Sequence, residues 1–210
     1  MKAVVISGGQ PVSNHQAQIH LKDADFIVCA DKGAEYALLY GAVPNLIVGD
    51  MDSVNSELLS EFKNSEIIIS PPEKDYTDTQ LAVINAIENG ADEITIICAT
   101  GLRSDHAMAN IRLLLFINDK GASGKIVDDE NTIFLCTGAT VFNDRKGATV
   151  SVLSLSDKTE GITLKGFKYP LSNISADLMW TTGISNEIIA DHASITLSEG
   201  CLLIFEIHNT

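Results

Sequence analysis

The chain contains no C-x-x-C pair, a single tryptophan, no G-x-x-x-x-G-K-[ST] loop and no G-x-G-x-x-G. Each absence removes a class of function. Without paired thiols, a zinc ribbon or a thioredoxin-like redox site is unsupported. Without the two glycine signatures, neither the P-loop nor the dinucleotide fingerprint can be invoked, so any phosphate must be held by other means. No stretch approaches the roughly 20 apolar residues that cross a bilayer. The opening "MKAVVISGGQ" has one lysine and an apolar run cut off at Gly8 and Gly9, too short for a secretory signal, which predicts a cytoplasmic protein. Basic residues are scarce as well: 14 against 28 acidic ones give a formal charge of −14. Such a surface repels nucleic acid and anionic membranes, and a small anionic ligand would need a metal beside it.

What is present is enough apolar material for a large core. Hydrophobic residues make up 45% of the 210, and charged ones 20%. Cys29, Cys98, Cys136 and Cys201 each stand in or beside an apolar run, as expected of buried strand thiols in a reducing compartment. Through the first 130 residues, the runs "AVVIS", "FIVCA", "LIVGD", "EIIIS", "EITIICA" and "GKIVDD" read as strands buried on both faces of a parallel sheet. Helical patterns fall between them at Ala34 to Tyr40, Ser56 to Phe62, Thr79 to Asn89 and Asp105 to Asn118, with Gly41 and Gly90 as C-terminal stops. The alternation predicts an α/β N-terminal domain, three-layered and Rossmann-like with a mostly parallel sheet, over residues 1–130. From about Asn131 the texture changes to short strand-like runs broken by glycine, asparagine and aspartate. This predicts an all-β sandwich domain over 131–210.

Ligands of open α/β sheets bind beyond the carboxyl ends of the strands, and polar residues gather there. Strand two ends at Asp31, and strand three at Asp50 and Asp52. Strand four runs into Lys74, Asp75, Thr77 and Asp78, and strand five into Arg103, Asp105 and His106. Two carboxylates about 5 Å apart repel by about 1 to 3 kcal/mol, and a divalent cation removes that cost. Oxygen ligands without cysteine or paired histidine suit Mg²⁺, which takes one or two carboxylates and completes its shell with water and phosphates. The expectation is that Asp50 and Asp52 hold Mg²⁺ and that the Mg²⁺ holds a polyphosphate. Structural roles compete for several of these residues. Asp52 or Ser53 fits the N-cap of a helix starting near Asn55. Thr77 with Gln80 fits a capping box. His106 fits a hydrogen-bonded core histidine, Arg103 fits a partner for one of the acids, and Gly8 and Gly9 fit a turn.

"GDMDS" (Gly49 to Ser53), "KDYTD" (Lys74 to Asp78) and "GLRSDHAMAN" (Gly101 to Asn110), in this order after successive strands, resemble the thiamin pyrophosphokinase family. "GFKYPL" (Gly166 to Leu171) and "GISNE" (Gly183 to Glu187) resemble motifs of that family's β domain, so the likeness spans nearly the whole chain. One such motif is modest evidence; five in order are specific. The resemblance implies transfer of a diphosphate from ATP, as co-substrate, to thiamin, giving thiamin diphosphate and AMP. It implies Mg²⁺ and a homodimer with active sites at the subunit interface. It carries Asp31, Asp50, Asp52, Asp75, Asp78, Arg103, Asp105 and His106 to the metal and nucleotide side, with Lys74 and Thr77 beside them. Asp50, Asp52 and Asp78 would be the metal ligands, and Asp78, Ser185 and Asn186 would face thiamin. Two departures stand out: Met51 where the family has phenylalanine, and Lys32 where a small residue is usual. Two further readings remain. "DMDSV" also satisfies the D-x-D-x-[TV] pattern of haloacid-dehalogenase-like aspartyl phosphatases, though on the third strand and not the first. A non-catalytic Mg-nucleotide-binding module is the other.

Overall fold

The computed structural model describes residues 1–51, 61–71, 73, 75–101 and 103–208. Its contacts divide the chain into two compact units, Met1–Asp129 and Glu130–Thr210. The expected Asp52, the competing cap Ser53, Lys74 and most of the helix expected from Ser56 to Phe62 lie outside the described residues.

In the first unit the described elements are β1 Lys2–Ile6, α1 Asn14–Leu21, β2 Phe26–Ala30, α2 Gly33–Leu39, β3 Leu46–Gly49 and β4 Glu66–Ile69. They continue with α3 Asp78–Glu88, β5 Glu93–Ile97, α4 Ser104–Asp119 and β6 Ser123–Val127. The strands lie in the order β6-β5-β1-β2-β3-β4, every neighbouring pair parallel. Side chains alternate across a strand, so each central strand feeds two layers. Ile6, Cys29, Ile47, Ile97 and Val127 join one cluster with Ala17 and Leu21 of α1 and Ala34 and Ala37 of α2. On β6, Gly124 lies directly against Ile117 and Leu114 of α4, on the other face. Helices α2 and α3 end as Gly41 and Gly90 predicted. At each, the glycine has positive φ and its N–H reaches three residues back, while the next N–H reaches five back.

Two features depart from the sequence reading. Helix α1 was not expected, because "NHQAQIHL" carries no apolar stripe and buries only Ala17 and Leu21. It is fixed at its start by Ser13, whose Oγ accepts from the Gln16 N–H at 3.3 Å. Strand β4, at the end of the sheet, is exposed at all four positions, so the expectation of two buried faces fails there.

The second unit contains β7 Asn131–Cys136, β8 Ala139–Asn143, β9 Thr149–Ser154, β10 Thr159–Lys165, β11 Leu171–Ala176, β12 Asn186–Glu187, β13 His192–Thr196 and β14 Leu202–Ile207. They form two antiparallel layers, β12-β9-β14-β7 and β11-β10-β13-β8. Strand β9 alternates buried and half-buried positions, as one face of a sandwich requires. Val150, Val152, Leu202 and Ile204 of one layer meet Phe142, Ile162, Leu164 and Ile195 of the other. Phe142 and Phe167 stand edge to face at 6.0 Å and 89°. All four cysteines are buried free thiols, and burial raises the Cys29 thiol far above its usual range. Among the described residues, no helix is long and apolar enough to cross a membrane.

Candidate active site

The order of the parallel strands reverses at β1, which has β2 on one side and β5 on the other. The chain therefore leaves β1 between two diverging loops, the place where open α/β sheets bind ligands. A cleft of about 700 Å³ opens here, at the carboxyl ends of β1, β2 and β5. Its floor is built by close backbone approach. The Ser7 N–H donates to the Ile97 carbonyl at 3.0 Å, Gly9 to Cys98 at 2.7 Å and Gln10 to Thr100 at 2.8 Å. A Cβ on Gly9 would lie 2.4 Å from the Thr100 oxygen, so only glycine fits.

Asp31 reaches the cleft directly after β2, in the left-handed region at φ 44°, with its N–H on the Val48 carbonyl at 2.8 Å. Met51 after β3 (φ 60°) and Cys98 after β5 (φ 56°) share that conformation. Non-glycine residues held there cluster at functional sites. Gly49 packs so closely on Asp31 that a Cβ would come within 2.9 Å of the Asp31 Cβ, which draws the start of the Asp50 segment against the Asp31 backbone. Met51 packs on the core cluster of the unit, an apolar side chain in an apolar place. Lys32 lines the cleft with its Nζ 5.8 Å from the centre of the Tyr36 ring, and the Tyr36 hydroxyl donates to the Gly9 carbonyl at 2.8 Å.

The start of α3 supplies Thr77, Asp78 and Thr79 to the wall. Thr77 is the N-cap, its Oγ1 accepting from the Gln80 N–H at 3.2 Å, so the capping role is real and coexists with a place on the cleft. Asp78 is half-buried in the first turn. From α4 come Arg103, just before its start, with His106 and Asn110. Asn110 is structural, its Nδ2 donating to the Ala99 carbonyl at 2.7 Å. His106 is exposed on the cleft wall, which rules out the core-histidine reading. Arg103 donates through Nε and Nη2 to the two Asp105 oxygens at 2.9 and 2.7 Å. This pairing holds the Asp105 carboxyl well below the usual carboxylate range and raises the guanidinium.

The cleft thus gathers Asp31, Thr77, Asp78, Arg103 and His106, while Asp50, Asp75 and Asp105 are not on its wall. Sequence reasoning missed Ser7, Tyr36, Thr79 and Thr100, and also Asp128, whose Oδ2 accepts from the Thr100 hydroxyl at 3.0 Å. Ser7, Thr100 and Asp128 each stand at or soon after the end of a strand, the same signal that marked Asp31. Among the described residues, no three His, Cys, Asp or Glu side chains stand close enough together to hold a metal by themselves. Asp31, Asp50 and Asp78 are nevertheless hard oxygen donors of the kind Mg²⁺ accepts, and that ion takes only one or two carboxylates beside water and phosphate.

In the second unit, Ser185 is exposed at φ 57°, its N–H donating to Ser151 Oγ at 2.9 Å. Asn186 is buried, and its amide is occupied. Oδ1 accepts from the Tyr169 and Glu187 N–H groups, both at 3.0 Å, and Nδ2 donates to the Tyr169 carbonyl at 2.8 Å.

Two family models match this chain. Residues 17–125 match the thiamin pyrophosphokinase catalytic domain, and residues 139–202 match the thiamin pyrophosphokinase vitamin B1 binding domain. The chain belongs to the thiamin pyrophosphokinase family. It is 31% identical over 177 residues to a thiamine pyrophosphokinase of Bacillus subtilis, covering 82% of this chain and 83% of that one. The solved structure of a thiamine pyrophosphokinase from Bacillus subtilis superposes with a TM-score of 0.88 at 26% identity, over all of both chains. One of a thiamin pyrophosphokinase from Geobacillus thermodenitrificans gives 0.86 at 30%, covering 100% of this chain and 99% of that one. These matches give the aspartyl-phosphatase reading of Asp50 and Asp52 no support.

Proposed function

We propose that this chain transfers a diphosphate from ATP to thiamin with Mg²⁺, giving thiamin diphosphate and AMP, as a cytoplasmic homodimer. The observation that carries the reading is the cleft at the switch point of the parallel sheet, walled by Asp31, Asp78, Arg103 and His106, in a chain of this family. Residues 1–130, read as a three-layer Rossmann-like domain, are assigned to ATP and Mg²⁺, and the sandwich of 131–210 to thiamin.

Arg103, His106, Lys74 and Thr77 bind and orient the triphosphate, with Asp75 and Asp105 at the rim. Arg103 is preset by Asp105, so its planar fork is already ordered before a phosphate arrives. Asp50, Asp52 and Asp78 are the assigned Mg²⁺ ligands, with Asp31 beside them, and the bound ion would neutralise charge on the transferring phosphates. The thiamin hydroxyl oxygen attacks the β-phosphorus in line. The bond from that phosphorus to the α,β-bridging oxygen breaks, and AMP departs. Asp78, half-buried at the cleft, accepts the hydroxyl proton. On the thiamin side, Ser185 offers its exposed hydroxyl, while Asn186 acts through its hold on Tyr169.

The test is incubation with ATP, Mg²⁺ and thiamin, followed by chromatography for AMP and thiamin diphosphate, with sedimentation to measure the dimer. Formation of AMP in step with thiamin diphosphate is expected. Release of free phosphate without thiamin, or of ADP, would overturn the reading.

A further inference from the structure

Ser7 and Thr79 form a direct hydroxyl pair, Oγ to Oγ1 at 2.6 Å, between the end of β1 and the first turn of α3. Both belong to the wall of the cleft and both are more than nine-tenths buried, Ser7 3% and Thr79 8% exposed. Two hydroxyls carry two protons, and the bond between them uses one. The proton of the accepting hydroxyl has no acceptor among the described residues. A buried donor left without a partner costs free energy, so at the wall of a cleft such a group favours an occupant that can accept its proton.

We infer that the Ser7–Thr79 pair is a hydrogen-bond donor to a phosphate oxygen of the nucleotide held in the cleft. The inference rests on the proposed use of ATP. Three features direct it to phosphate and not to a neutral group. The pair stands at the end of β1, beside the Gly8–Gly9 turn on the same wall. Thr79 lies in the first turn of an eleven-residue helix, whose N-terminal end carries partial positive charge and favours anions. Its neighbours Thr77 and Asp78 line the same cleft, so this part of the wall is polar. The mutual bond restricts the rotation of both hydroxyls, so less freedom is lost when a ligand oxygen accepts the second proton. Preorganised donors of this kind, directed at charge in a partly dry site, are more effective than freely rotating ones.

A purely structural staple between β1 and α3 makes the opposite prediction. Removing one partner of a buried pair leaves the other unsatisfied, whereas replacing both by apolar groups is close to neutral. The double variant Ser7→Ala/Thr79→Val separates the two roles. Wild type and variant are titrated calorimetrically, in Mg²⁺, with ATP, inorganic tripolyphosphate and adenosine, and their thermal unfolding is followed in parallel. The expected result is a dissociation constant for ATP and for tripolyphosphate raised about tenfold or more, with adenosine unchanged and the fold intact. Unchanged ATP affinity in a folded double variant overturns the inference, as does a loss confined to adenosine. If that variant does not fold, Ser7→Ala/Thr79→Ala is read by the same criterion. Wild-type protein that binds ATP but never converts thiamin would refute the proposed function and leave this comparison decided by affinity alone.

Discussion

In the α/β unit the described strands run parallel, so their carboxyl ends all lie on one side, and residues as far apart in sequence as Ser7, Asp31, Thr79 and Arg103 meet in one cleft. In the β unit the paired strands run antiparallel, so the carboxyl ends of neighbouring strands fall on opposite sides. There, Ser185 and Asn186 are held from two sides, by the pairing of β12 with β9 and the Ser185 N–H on Ser151 Oγ, and by a zipper with the segment before Tyr169. Lys168 donates to the Glu187 carbonyl at 2.9 Å, Ile189 to Gly166 at 2.9 Å, and the Asn186 amide takes over where backbone pairing stops at Tyr169. The parallel topology assembles one set of residues; short backbone pairings completed by the Asn186 amide assemble the other. The first should withstand the loss of single contacts, and the second should not.

The largest effect expected is on stability. Phe167 is 2% exposed and stands edge to face with Phe142, so Phe167→Ala should cost about 3–5 kcal/mol in the β unit. Denaturation followed by circular dichroism should then show two transitions, with ATP binding surviving the first. A single transition that takes ATP binding with it would break the comparison, because the α/β unit would not stand without its neighbour. Next in size, Asp78→Asn should cut turnover at least about a hundredfold while the fold persists, since the proposed reaction needs that charge at the cleft. Chelation of Mg²⁺ should abolish turnover. Near-normal activity of Asp78→Asn, measured with saturating ATP and thiamin, would reduce Asp78 to a first-turn helix residue.

How much of this was legible in the sequence followed the same division. "FIVCA" coincides with β2, and the other strand runs agree within two residues at either end, because near-continuous β-branched stretches have few alternatives. The rule that sites lie beyond carboxyl ends was enough to bring Asp31, Thr77, Asp78, Arg103 and His106 to notice, and all five stand on the cleft wall. Ser7 and Thr79 were not legible. A serine closing an apolar run and a threonine opening a helix each have an ordinary local explanation, and only the fold shows that the two hydroxyls touch. Helix α1 escaped because its stability comes from a cap and two buried residues, without a periodic apolar face. In the β unit, the occupied amide of Asn186 was equally hidden, since spacing alone does not reveal which polar groups are already bonded.

Asn186→Ala removes both side-chain bonds to the Tyr169 backbone, leaving its N–H and carbonyl to find other partners. Two such bonds, at about 0.5–1.5 kcal/mol net each, would if fully expressed at the site raise the KM for thiamin by about five- to 150-fold. The KM for ATP should not change. Steady-state kinetics with each substrate varied in turn would detect the split. Equal effects on both constants would mean that Asn186 supports more than its own segment.

The smallest effect should come from Asp105, although its carboxyl carries one of the clearest shifts in the chain. Its folded-state pKa is held low, first by the hydrogen bonds from Arg103. The stabilisation is therefore fully present above the ordinary aspartate pKa of about 3.9 and is lost as pH falls below it toward the folded value. The side chains of Arg103 and Asp105 are, however, 70% and 65% exposed, so water and salt screen the pair and its net contribution is slight. Asp105→Asn should therefore shift the unfolding curve at most slightly between about pH 7 and pH 4, and the two proteins should converge in more acid solution, where Asp105 is itself protonated. What should change is the freedom of Arg103. Without its partner the guanidinium is no longer preset, and ATP should bind more weakly by a few fold while thermal stability stays where it was. If instead Asp105→Asn unfolds at clearly lower temperature near neutral pH, the pair is a structural brace, and the arginine is placed by the fold and not by its neighbour.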